Sequence, residues 1–247
     1  MPEESAAVGA FEATAGAAGE RYPVDVARLA RDARARAREL WRAAPTFPYC
    51  ERIGISSWEA LWCRFEGDGD TVGALRSWAP EFRRTAWSRA LADQGVDDSA
   101  LASELGDRFG VERRRLQRAF PDASLVPALR DRYALALVTN GAACLQREKL
   151  IRAGLAEHFD AVVVSADVGA GKPDPAIFEH ALSLLGARPD QAVMVGDTLE
   201  RDIAGAHAAG VRAIWINRFG LPRPADDDVV EISGLNELAA ALANYSL

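Results

Sequence analysis

Ala134-Leu135-Ala136-Leu137-Val138-Thr139-Asn140-Gly141 is the stretch that decides the fold. Five apolar residues without a break make a strand buried on both faces, and a hydroxyl, an amide and a glycine follow at its end. The same construction recurs at Ala161-Val162-Val163-Val164, at Ala192-Val193-Met194-Val195 (running into Gly196-Asp197) and at Ala213-Ile214-Trp215-Ile216. Helical segments separate these runs. One opens with Asp174 as cap and Pro175 in its first position and is followed by Gly186; another ends at Gly210. Apolar runs alternating with helices imply an open α/β domain, a parallel sheet covered on both faces. Such sheets bind ligands at the C-terminal ends of their strands, which is where the polar residues stand here.

Working upstream, residues as far as 120 read as helical. Val26, Leu29, Ala30, Ala33, Ala37, Leu40 and Trp41 form one apolar stripe among arginines. Ser56 or Ser57 caps a helix carrying Trp58, Leu61, Trp62 and Phe65. A third helix spans 72–92, where Pro80 is expected to kink or split it. Two shorter helices fit 99–109 and 111–120, and no strand is expected in this half. The domain division is placed at 122: helices over 1–122 and the α/β part over 123–247. Five of the six tryptophans lie in the helical half, where they read as the core of a helical bundle or, alternatively, as the lining of a pocket. His158, His180 and His207 read as surface or packing residues.

Composition narrows the function. The 247 residues suit one large domain or a domain with a smaller companion, and 49% hydrophobic residues suffice for a substantial core. A formal net charge of -7 argues against nucleic acid, which requires a basic face. No apolar run reaches membrane-spanning length, and Met1-Pro2-Glu3-Glu4-Ser5 is not the start of a signal peptide. Cys50, Cys63 and Cys144 show no metal spacing, and three scattered cysteines fit a reducing cytoplasm better than a disulfide framework. Neither nucleic acid nor membrane is an expected partner, and the chain is expected to be a monomer or homodimer.

Three strand-end segments carry chemistry. The hydroxyl, amide and backbone N–H groups of Thr139-Asn140-Gly141 suit phosphate oxygens, although Asn-Gly is also a common turn pair. Lys172 follows Gly169-Ala170-Gly171 and precedes Pro173 and Pro175, and it is one of only two lysines in an arginine-rich chain. A compact point charge retained there suits a phosphoryl group and an attacking carboxylate. Asp197 and Asp202 bring hard oxygen donors to a strand end, as Mg²⁺ requires, while both also suit a helix N-terminus.

In this order, Leu137-Val138-Thr139-Asn140-Gly141, Gly171-Lys172-Pro173-Asp174-Pro175 and Val195-Gly196-Asp197-Thr198-Leu199-Glu200-Arg201-Asp202 resemble motifs two, three and four of the haloacid dehalogenase-like (HAD) hydrolase superfamily. The resemblance implies a Rossmann-like parallel-sheet core with an α-helical cap placed between motifs one and two. It also implies Mg²⁺-dependent hydrolysis of a phosphate monoester, with a small phosphorylated metabolite as partner, through an aspartyl-phosphate. Thr139, Asn140 and Gly141 would bind phosphate, Lys172 would orient nucleophile and phosphate, Asp197 would bind Mg²⁺, and Asp202 would support the metal. The first motif, Asp-x-Asp-x-Thr at the end of a buried strand, carries the nucleophile and does not precede the others. Asp68-Gly69-Asp70-Thr71 matches it formally, but Cys63-Arg64-Phe65-Glu66-Gly67 before it is no buried strand.

The central first strand is therefore expected to be missing, and Met1 to be an internal methionine of a longer frame. Removing that strand from mid-sheet would open a gap of roughly 10 Å. The unpaired groups, at about 1–3 kcal/mol each, would together exceed a typical stability of about 5–15 kcal/mol. On this reading the chain alone is inactive. One alternative is an inactive relative that binds a phosphorylated ligand. Another is a metal-independent 2-haloacid dehalogenase, disfavoured by the acids at 197 and 202.

Overall fold

The computed structural model describes residues 3–223 and 229–243. Met1 and Pro2 lie outside them, and Glu3 and Glu4 are already helical. Two compact units emerge.

The first unit holds residues up to 119 together with 141–149. Its helices are α1 (Glu3–Gly19), α2 (Val26–Arg42), α3 (Phe47–Ile53), α4 (Ser57–Ala60), α5 (Asp70–Ala92) and α6 (Ser99–Leu116). Helix α1 is lined by Ala6, Ala7, Ala10, Ala15 and Ala18, small residues that permit close helix packing, and Phe11 meets Phe109 and Trp87 with ring centroids 4.6 and 6.0 Å away. Each large side chain buried in this way contributes about 1.5–3 kcal/mol. Of the five tryptophans in this half, Trp62 and Trp87 are fully buried, as the bundle-core reading expects, while Trp41, Trp58 and Trp78 are half-buried.

Three expectations for this unit change. Pro80 does not split its helix: α5 runs through it, because Pro80 is exposed while Leu75, Ala79, Phe82, Ala86 and Trp87 carry one buried stripe across it. The helices expected over 99–109 and 111–120 are one helix, α6; at its interior Gly110, a Cβ would stand 3.5 Å from the Trp62 Cβ. The helix begun at Ser56 ends after one turn, although its capping box with Glu59 forms as expected.

The chain continues through α7 (Val126–Arg130), β1 (Ala136–Thr139) and α8 (Ala143–Arg152). The expected single boundary at 122 differs from the structure, in which the first two turns of α8 return to the helical unit. The reason is a set of buried and half-buried polar contacts. Gln146 Nε2 and Lys149 Nζ each donate to Glu59 Oε1 at 2.8 Å, and Arg114 Nε donates to Glu148 Oε1 at 2.6 Å.

The second unit comprises 120–140 and 150–247, with its described part ending at 243. It adds β2 (Ala161–Val164), α9 (Ser165–Val168), α10 (Pro175–Leu185), β3 (Val193–Gly196), α11 (Ala204–Ala208), β4 (Arg212–Ile216), β5 (Val230–Ile232) and α12 (Leu238–Leu242). Asp174 caps α10, Pro175 opens it and Gly186 closes it in the left-handed conformation, all as expected. Along β4 the side chains alternate: Ala213 and Trp215 join a cluster with Ile177, Phe178 and Ile203, while Ile214 and Ile216 join Ile232, Leu238 and Leu242. Both faces are thus covered.

The strands are parallel, but they form two sheets, β1-β2 and β3-β4-β5. Among the described residues β1 has no partner but β2, and β3 has none but β4. All four residues of β1 and the first three of β3 are half-buried, whereas most of β2 and β4 is buried.

Candidate active site

The site residues of the α/β unit converge on one ammonium group. Lys172 Nζ donates to the carbonyl of Val138 in β1 at 2.8 Å and to Asp202 Oδ1 at 2.7 Å. The other oxygen of Asp202 accepts the backbone N–H groups of Asp197 and Thr198, both at 3.0 Å. The Asp202 side chain is only 6% exposed, and both of its oxygens are committed. Removal of such a carboxylate would strand a charge and two donors together.

Local sequence explains how Asp202 reaches back. Gly196 ends β3, and a Cβ there would lie 2.3 Å from the Asp202 Cβ, so only glycine admits the carboxylate. The chain then opens into a wide turn over Leu199–Ile203, with the N–H of Ile203 reaching the carbonyl of Thr198 at 3.3 Å. Such π-type turns recur at functional sites. Asp197 is held at both ends of its backbone: Asp202 accepts its N–H, and the Trp215 indole donates to its carbonyl at 3.1 Å. Its side chain is exposed at the strand end, with the Thr198 hydroxyl 3.3 Å from Oδ1.

The residues expected at phosphate make different contacts in the fold. Asn140 uses its side-chain amide on the main chain of Lys172, accepting its N–H at 2.7 Å and donating to its carbonyl at 2.9 Å. This amide positions the lysine loop against the end of β1. The N–H of Gly141 is donated to the carbonyl of Ile53 at 3.0 Å, and its φ of 131° requires glycine. The Thr139 hydroxyl makes a long 3.4 Å contact to the carbonyl of Asn140. Thr139, Asn140, Lys172, Asp197 and Asp202 are thus linked within the α/β unit, while Gly141 serves the turn.

Sequence reading missed Trp215 as the support of Asp197. A signal existed: it is the one tryptophan in the α/β half, and a buried indole N–H needs a partner. The histidines play no part; His180 and His207 are exposed and His158 is half-buried.

The donor set can be tested against a divalent cation. Among the described residues no group of three His, Cys, Asp or Glu side chains is poised around one point. Asp197 supplies one hard carboxylate at the strand end, and that fits Mg²⁺, which takes one or two carboxylates with waters and phosphate. Asp202 belongs to the support of that position.

Residues 5–210 match the family model of the haloacid dehalogenase-like hydrolases. The chain belongs to this family. The match encloses all three motifs and most of the helical unit. Over 215 residues this HAD-like hydrolase is 45% identical to the phosphoserine phosphatase of Thermus thermophilus, covering 85% of this chain and 84% of that protein. It is 38% identical over 146 residues to the N-acylneuraminate-9-phosphatase of Rattus norvegicus, covering 57% and 58% respectively. Among solved structures, a 2-haloacid dehalogenase from Pseudomonas syringae pv. Tomato DC3000 aligns with a TM-score of 0.62 at 30% identity, over 98% of this chain and 93% of that one. A HAD phosphatase from Thermococcus onnurineus aligns with a TM-score of 0.51 at 30% identity, over 87% and 94%. Among the described residues no helix is long and apolar enough to cross a membrane.

Proposed function

We propose that this HAD-like hydrolase serves Mg²⁺-dependent hydrolysis of a small phosphate monoester, with phosphoserine as the first substrate to try. The observation that carries the reading is the Lys172–Asp202–Asp197 arrangement: a buried carboxylate fixes both a lysine ammonium and the backbone of an exposed strand-end aspartate. The phosphatase relative at 45% identity supports the reaction class.

Each residue has a task. Lys172 offsets charge on the phosphoryl oxygens, Asn140 and Asp202 hold it in place, and the Thr139 hydroxyl contacts phosphate. Asp197 would hold Mg²⁺, which when bound supplies charge stabilisation for the transferring phosphoryl group. The nucleophile is proposed to enter as an aspartate on a strand seated between β1 and β3. The half-buried inner strands and the division into two sheets support that slot. Among the described residues the only aspartate directly following a strand is Asp197, and Asp68-Gly69 lies in a bend leading into α5. Attack by the slotted aspartate would form an aspartyl-phosphate, which water then hydrolyses.

The test is release of inorganic phosphate from phosphoserine and p-nitrophenyl phosphate, and of halide from 2-chloropropionate, by protein isolated from its native cell. Phosphate release that EDTA abolishes and Mg²⁺ restores is expected. Halide release unaffected by EDTA would replace this reading with that of a dehalogenase. Saturable phosphoserine binding with no release of either product would make it a binding protein.

A further inference from the structure

Away from the Lys172 site, the helical unit brings two cysteines together that lie 81 residues apart. The sulfurs of Cys63 and Cys144 are 3.6 Å from each other. Cys63 is fully buried, and Cys144, in the first turn of α8, is half-buried. The surroundings of the pair are specific. Phe65 adopts φ 51°, a left-handed conformation that a bulky aromatic residue rarely tolerates. Strain of this kind persists where the surrounding structure enforces it. Its result is that the Phe65 N–H donates to Cys63 Sγ at 3.3 Å. The neighbouring backbone N–H groups of Glu66 and Phe65 favour the thiolate form of Cys144.

We propose that Cys63 and Cys144 form a redox pair that peroxide converts to a reversible intrachain disulfide, Cys144 being the attacking and Cys63 the resolving thiol. The Cys144 thiolate attacks one peroxide oxygen; an S–O bond forms, the O–O bond breaks, and the departing hydroxide takes up a proton. Cys63 then attacks the sulfenic sulfur; the S–S bond forms, the S–O bond breaks, and the departing hydroxide takes the Cys63 proton. Two thiols lose two electrons in all, and one peroxide becomes two waters. A dithiol reductant returns the pair to the reduced state by exchange.

The asymmetry of the pair fits these roles. Hydrogen bonding from Cys63, opposed by burial and aided by the Glu66 N–H, pushes the Cys144 thiol down. The bond to Cys144 and burial push Cys63 up. Cys144 is also the more exposed of the two, so peroxide reaches it first. The resolving thiol is already in contact, and disulfide closure needs the sulfurs to approach to about 2.05 Å. Cys50 has no such partner and burial pushes it up to about 11, so it serves as an internal control. A transient disulfide of this kind is compatible with a reducing compartment.

The experiment uses the full chain treated with hydrogen peroxide, then alkylated, digested with trypsin and mapped by mass spectrometry. The expected product links fragments 53–64 and 133–147, weighs about 2 Da less than the two thiol peptides together, and disappears with dithiothreitol. Titratable thiols in denaturant should fall from three to one. In Cys63→Ser, Cys144 should accumulate as a sulfenic acid trapped by dimedone; Cys50→Ser should leave the crosslink intact. Crosslink-free protein in which Cys144 stays reduced, or one in which Cys50 oxidises as fast as Cys144, would overturn the proposal. The wild-type crosslink needs no substitution, so misfolding of a variant cannot mask the answer.

Discussion

Asp202→Ala should destabilise the α/β unit far more than an aspartate near a helix start normally would. Asp202 accepts two backbone N–H groups at 3.0 Å and pairs with Lys172 at 2.7 Å. Alanine leaves both donors and the ammonium behind. Asp197 is exposed and Thr198 half-buried, so water can reach their N–H groups, and each lost bond is worth about 0.5–1 kcal/mol. Breaking a fully buried ion pair by removing one partner costs about 3–5 kcal/mol. Lys172 is 13% exposed and retains the Val138 carbonyl, so about 2 kcal/mol is the appropriate share here. The total is about 3 kcal/mol, or roughly 6–12 °C in Tm for a chain of this size. Urea and thermal unfolding followed by far-UV circular dichroism measure it. Asp202→Asn, which keeps one oxygen for the N–H groups, should lose less. A double-mutant cycle with Lys172→Met should show coupling above about 1 kcal/mol. A loss below about 0.5 kcal/mol for Asp202→Ala, the range of ordinary surface substitutions, would refute the reasoning.

Two further substitutions probe the supports. Gly196→Ala places a Cβ 2.3 Å from that of Asp202 and must displace the carboxylate, so its unfolding midpoint should fall nearly as far as that of Asp202→Ala; a wild-type midpoint would show that the close approach is relaxed easily. In the helical unit, burial pushes the Glu59 carboxyl up, but Lys149 and the Ser56 hydrogen bonds outweigh it and hold it below its ordinary value. A carboxyl lowered on folding binds fewer protons in the native state. Its stabilisation is complete above the ordinary carboxylate range and is lost as pH falls through the lowered value. Lys149→Met should remove about 3 kcal/mol at pH 7 and, with burial then dominant, reverse the slope so that stability declines as pH rises through and above the ordinary carboxylate range. An unchanged pH profile in that variant would show that the pair does not govern Glu59.

The legible parts of this chain were those set by local chemistry. Asp174, Pro175 and Gly186 specify a helix through their own backbone preferences, and the apolar runs from 136 to 216 specify strands by burial alone. The three-residue β5, Val230-Glu231-Ile232, was too short and too mixed to be read. Pro80 left open whether its helix would bend or divide; the buried stripe on the opposite face carries the helix through it, and that packing is a tertiary property. At the site, residue types indicated the chemistry, but not which partner each group takes. Asn140 and Asp202 carry, beside the roles expected of them, bonds that no residue pattern announced: they hold the main chain of Lys172 and the backbone of Asp197. The scarcity of lysine pointed to Lys172 and applied equally to Lys149, whose compact ammonium fills a buried site against Glu59. The Cys63–Cys144 contact spans 81 residues, and no local pattern announces it.

The most direct test of the account is phosphate release by Asp197→Asn, beside the unsubstituted protein from the same native source, at saturating Mg²⁺ and phosphoserine. The substitution keeps the backbone bonds to Asp202 and Trp215 and removes only the charge offered to the cation. A fall in kcat of at least about 100-fold, with the unfolding midpoint unchanged, is the predicted result. Undiminished turnover would contradict the assignment of Asp197 and, with it, the proposed chemistry of the site.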